Sequence, residues 1–142
     1  MNSKKFTLAC VAVFIFIFVF DLLFHGVYLK SIYEQTNGLW RPEEAMKSYI
    51  AWLILGQLII AIGFVALFTK AFKRGGLIEG AVYGLLLAII FIGNLLIWYA
   101  VVPYPSNLLT NWMVGTLIEM VLAGIIVAFI YRSKAAVKTI DA

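Results

Sequence analysis

Four apolar stretches, at about residues 6–29, 47–69, 77–101 and 108–131, take up most of this chain and decide what it can fold into. Each is long enough to cross the roughly 30 Å hydrocarbon layer of a bilayer as a helix, which needs about 20 residues. In hydrocarbon every backbone N–H and C=O must be bonded internally, and a helix achieves that within its own segment. Composition agrees: 64% of the 142 residues are hydrophobic and 13% are charged, against about half and about a quarter in a soluble domain. The expected fold is therefore all-α, a single domain over residues 1–142 built as an integral membrane bundle of four transmembrane helices, with the lipid bilayer as its first partner.

The connections carry ordinary punctuation. Asn37-Gly38 is a turn signal, and Pro42-Glu43-Glu44 reads as a helix start, with proline in the first turn and acids at the positive end of the dipole. Lys70, Lys73 and Arg74 with Gly75-Gly76 make a short basic turn, so the second and third helices should be antiparallel neighbours. Pro103-Tyr104-Pro105 makes a rigid turn before the fourth. Trp40, Trp52, Trp98, Trp112, Tyr28 and Tyr33 cluster near segment ends, where aromatic side chains anchor helices at the bilayer surface. The N-terminal Lys4-Lys5 followed by an apolar run imitates a signal peptide, but the run is long and lacks a small-x-small cleavage site before Asp21, so a retained helix is expected. The lone Cys10 excludes an intrachain disulfide and any CxxC motif, and its apolar surroundings suit a buried, inert thiol.

The net charge of +4 is a statement about topology rather than about nucleic acid, for which no role is expected. Lys4, Lys5, Lys70, Lys73, Arg74, Arg132, Lys134 and Lys138 fall on one side of the four-helix arrangement, and only Lys30, Arg41 and Lys47 on the other. Basic residues favour the cytoplasmic face, so both termini are expected inside and the chain in the cell inner membrane as a multi-pass protein.

Gly76, Gly80 and Gly84, with Ala88 next, stand four apart and share one face of the third helix. Small residues so spaced let a second backbone approach closely. The approaching helix is either a neighbour in the same chain or a second copy, giving a homodimer or a larger membrane complex. Gly115, Glu119 and Ala123 form a matching stripe on the fourth helix, and Gly56 and Gly63 offer small positions on the second.

Against this apolar background, five polar residues stand out. At ~1.5 Å of rise per residue, Asp21 lies ~12 Å and His25 ~6 Å below the outer end of the first helix. Gln57 lies ~15 Å down the second helix, Asn94 ~10 Å down the third and Glu119 ~16 Å down the fourth. Facing lipid, each would lack hydrogen-bond partners at a cost of several kcal/mol. Overlapping depths therefore predict that the five converge inside the bundle, in its outer half.

Three readings fit such a layer. The groups can be interhelical glue, with Asp21 or Glu119 protonated and donating a hydrogen bond. They can form a solute- or proton-exchanging site, since carboxylates within membranes often mark such paths. They can bind a metal ion through Asp21, His25 and Glu119, one imidazole with two carboxylates being a first-row-metal set. No HExxH, GxSxG or P-loop pattern occurs, so no catalytic residues are assigned and no organic cofactor is expected. The leading expectation is a non-enzymatic membrane protein of accessory or unknown role; a small-solute or ion transporter or binding protein using Asp21, His25 and Glu119 is the alternative, and an intramembrane enzyme the third class.

Asp21 with Gly26, the glycines Gly76, Gly80 and Gly84, and Asn111-Trp112 with Gly115 together resemble small bacterial four-helix membrane proteins grouped as domains of unknown function. That resemblance covers most of the chain and implies a four-helix bundle without implying an activity.

Overall fold

The computed structural model describes residues 3–72 and 76–131. Lys73, Arg74 and Gly75 of the basic turn, and Arg132, Lys134 and Lys138 of the tail, lie outside the described residues. Within them the chain is helical, with no strand. Helix α1 spans Ser3–Leu23 and passes directly into a π-helical turn, Phe24–Tyr28. A short α2, Lys30–Gln35, and a one-turn α3, Glu43–Met46, occupy the first connection. Three long helices follow: α4, Ile50–Ala71; α5, Leu77–Val101; and α6, Ser106–Tyr131. Four segments, Ser3–Tyr28, Glu43–Ala71, Leu77–Val101 and Ser106–Tyr131, are long and apolar enough to cross a membrane.

Local sequence sets the ends. Glu43 and Glu44 stand in the first turn of α3 directly after Pro42, as the dipole favours. At the start of α5 the Glu79 carboxylate reaches back and accepts the Gly76 N–H at 3.2 Å, satisfying one of the free donors of that helix end. Gly76 therefore caps α5 rather than packing it: the three atoms nearest its Cβ direction all belong to Glu79. Pro103 and Pro105 then keep α5 and α6 separate.

The closest packing is between α5 and α6. A Cβ placed on Gly80 would collide with the Gly124 carbonyl and the Ala128 side chain, and one on Gly84 with the backbone of Met120 and Val121. Gly124 is blocked in turn by the backbone of Gly80 and Gly84. The α5 glycine face is thus filled from within the chain. Its partner stripe on α6 is Met120, Gly124 and Ala128, one residue round from the expected Gly115, Glu119 and Ala123. Gly115 serves a different neighbour, because a Cβ there would strike the Phe24 ring of the π-turn. Gly56 and Gly63 of α4 have open space beside them.

Helix α1 lies against both α4 and α6. Its inward stripe is Ala9, Val13 and Ile17, and it meets Ala61, Val65 and Phe68 of α4 and Met120, Ala123 and Val127 of α6 in one buried cluster. Helices α4 and α5 meet through larger side chains. The Tyr83 ring packs edge-on against Phe64, Phe68 and Phe72, and its hydroxyl donates to the Phe64 carbonyl at 2.5 Å. A second cluster, of Leu29, Tyr104, Leu108 and Leu109, closes the end of the bundle that carries α2. The perimeter is apolar and open, with Ile78 80% and Val101 72% exposed. A soluble monomer rarely shows continuous apolar patches beyond a few hundred Å².

Candidate functional site

The inward stripes explain where the polar residues go. On α1 the series Val13, Ile17, Asp21, His25 repeats every four residues, so the acid and the imidazole continue the face that buries the core. On α4, Gln57 stands one turn before buried Ala61. On α6, Glu119 lies between buried Gly115 and Ala123. Asp21 therefore meets Gln57: the Gln57 Nε2 donates to Asp21 Oδ2 at 2.7 Å. The other Asp21 oxygen, Oδ1, lies 3.6 Å from His25 Nε2.

The chain of contacts continues into the connection. His25 Nδ1 lies 2.6 Å from the Tyr33 hydroxyl on α2. Trp112 of α6 donates its indole N–H to the same hydroxyl at 2.8 Å. Burial pushes the Tyr33 phenol up to about 12, so its O–H stays in place. Around it, Trp40 stands edge-on to Tyr33 and donates to Thr36 Oγ1 at 2.9 Å. Tyr28, at the end of the π-turn, donates to Asn111 Oδ1 at 3.0 Å. Stacking of Phe20 on Phe24 and of Phe24 on Tyr28, both with centroids 5.5 Å apart, continues the aromatic wall through the turn.

These elements line a half-open cavity of about 230 Å³ between α1, the π-turn, α5 and α6. Asp21, His25 and Glu119 all line it, together with Thr116, Phe20, Phe24, Leu95, Trp112 and Gly115. Glu119 is only 9% exposed, and its Oε1 is buried with no hydrogen-bond partner. The same is true of Gln57 Oε1. The chain matches no protein-family model, no curated protein and no solved structure.

Not every polar residue joins. Asn94 is exposed and lies outside the cavity. Leu95, about two turns beyond buried Ala88 on the same face of α5, does line the cavity, and Asn94 sits about 100° round the helix from Leu95. Gln57 belongs to the network through Asp21 without lining the cavity. Asp21, His25 and Glu119 share the cavity, yet among the described residues no three His, Cys, Asp or Glu side chains gather closely enough to hold a metal ion.

Tyr33, Trp112 and Thr116 are the members that sequence reading did not pick out. The tyrosine and the tryptophan carried only the signal of surface anchors. Trp52 and Trp98 lie on the outer surface, 68% and 54% exposed. Trp112 and Trp40 instead turn inward and spend their N–H groups on Tyr33 and Thr36.

Proposed function

We propose that this protein is a multi-pass protein of the cell inner membrane, with both termini cytoplasmic, that binds a small solute in the half of the bilayer away from the cytoplasm. The four apolar helices, the open apolar perimeter and the skew of basic residues support that placement. Binding rather than packing glue is supported by one observation: Glu119 Oε1 is buried, without a partner, in a residue that lines a cavity shared with Asp21 and His25. Glue is a bonded group. Asp21 meets that description, with Gln57 on one oxygen and His25 beside the other. Glu119 does not, and an unsatisfied buried group at a cavity is the signature of a site that awaits something. The reading is of binding and exchange.

Diisopropylcarbodiimide tests the reading, because this small apolar reagent is of the size the cavity can take, enters bilayers and adds to a protonated carboxyl to give a stable acylurea. The protein in lipid nanodiscs should gain one adduct, located by peptide mass spectrometry on Glu119 and absent from Glu119→Gln. Failure to label Glu119 anywhere between mildly acidic and mildly alkaline pH would show that the cavity does not admit small molecules to this carboxyl.

A further inference from the structure

The lining of the cavity also indicates the class of solute. No lysine or arginine is among its lining residues, and its charge-bearing groups are two carboxylates and one imidazole. The imidazole is committed at both ring nitrogens, Nδ1 to Tyr33 and Nε2 facing Asp21. The Asp21 carboxylate is committed to Gln57 and His25. What is left over is acceptor capacity: Glu119 Oε1 has no donor, and nothing among the described residues supplies one. An anion would add more acceptors and more negative charge to such a site. A neutral apolar solute would leave Glu119 unpaired.

The walls narrow the choice further. Phe20, Phe24 and Trp112 line the cavity, and aromatic faces attract cations. The size suits an organic molecule: by proportion to the ~150 Å³ cavity that holds benzene, about 230 Å³ takes roughly nine non-hydrogen atoms.

We infer that the cavity takes a small organic ammonium ion bearing N–H groups, whose charge and donors are received by Glu119 and whose apolar part lies against Phe20, Phe24 and Trp112. This rests on the binding reading above and names the ligand for the same site. The N–H groups matter because Glu119 Oε1 has no hydrogen-bond donor, so a primary ammonium, which brings donors as well as charge, fits and a quaternary one does not.

Three probes of similar size separate the terms: phenethylamine, the neutral 2-phenylethanol and the quaternary phenyltrimethylammonium. Each is titrated calorimetrically into the protein in nanodiscs, with empty nanodiscs subtracted for partition into lipid. Phenethylamine should bind about tenfold or more tightly than either of the others, since a charged hydrogen bond is worth that much. In Glu119→Gln the preference should vanish. The comparison among probes needs no variant, so a Glu119→Gln protein that folds poorly leaves the test intact. Equal binding of the amine and the alcohol would overturn the ammonium inference, and equal binding of the quaternary ion would overturn the requirement for N–H. If no probe binds while carbodiimide still labels Glu119, the ammonium inference fails and the solute cavity stands. If neither happens, both fail.

Discussion

The Tyr33 hydroxyl lies 2.6 Å from His25 Nδ1 and accepts the Trp112 N–H at 2.8 Å, so a residue of the first connection fixes the orientation of an imidazole in the bundle. An indole N–H can only donate, so the phenol oxygen accepts it. The phenol hydrogen is then free to be given to His25 Nδ1, which leaves the ring hydrogen on Nε2, facing Asp21. The protein has one histidine, so its ring nitrogens give an unambiguous NMR signature. The expected result is the Nε2–H tautomer in the native protein and a mixed or inverted population in Tyr33→Phe. The same tautomer in both would mean that Tyr33 does not set it. Removing the hydroxyl also leaves the Trp112 donor unpaired, which should cost about 1–3 kcal/mol of stability.

The same contact has a defined alkaline limit. The phenol has an ordinary value of 10.0 and is pushed up to about 12 by burial. A raised value means that the folded state favours the neutral form, so its contribution to stability is complete below about 10 and is lost as pH rises through about 12. Thermal unfolding of the native protein should therefore weaken over that range more steeply than that of Tyr33→Phe. Parallel loss in the two proteins would remove Tyr33 as the cause.

The glycines of α5 and α6 predict a graded response. Gly80→Ala, Gly84→Ala and Gly124→Ala each drive a methyl into backbone that cannot give way, and each should destabilise by about 1–3 kcal/mol or more. Gly56→Ala meets nothing within 4 Å and replaces a poor helix former, so it should be neutral or stabilising by up to about 1 kcal/mol. Thermal unfolding in one detergent compares them. A Gly56→Ala protein that loses stability as Gly84→Ala does would mean that the open face of α4 is covered by something else, such as a second copy.

Orientation can be read by thiol labelling in a Cys10→Ser background. Ser48→Cys, beside the turn that leads into α4, should react in intact cells with a maleimide that cannot cross membranes. Lys70→Cys, at the last turn of α4, should react only after the cells are opened. The reverse pattern would invert the proposed topology.

Much of the fold was written in the hydrophobic pattern, because the length and polarity that end a membrane helix are local properties. The α5 and α6 segments, expected at 77–101 and 108–131, run Leu77–Val101 and Ser106–Tyr131. The site was legible only in part. Depth placed Asp21, His25, Gln57 and Glu119 in one layer but could not choose a face, and it drew in Asn94, which points away. Extending each buried stripe by fours would have kept Gln57 and set Asn94 aside. Tyr33 was beyond reach, since its role depends on how α2 folds back over the π-turn, and no local pattern in Lys30–Gln35 records that. Gly115 likewise fitted a packing stripe, and only the position of Phe24 shows what it accommodates.

Glu119 and Asp21 differ in a way that separates function from stability. Asp21 is an acceptor for Gln57 and faces His25, so Asp21→Leu strands a donor and should destabilise by about 1–3 kcal/mol. Glu119 has a buried oxygen with no partner, so it carries the cost of desolvation without a bond in return. Replacing it with methionine, of similar length and without polar atoms, removes that cost, and the unfolding midpoint should rise. Groups kept against stability are expected where a site needs them. Glu119→Met should therefore be more stable than the native protein and unable to bind the amine probe, whereas Asp21→Asn, which keeps an acceptor for Gln57, should stay close to native stability. A Glu119→Met protein that unfolds more readily than the native one would mean that the carboxyl is structural glue after all, bonded in a way its buried oxygen does not show.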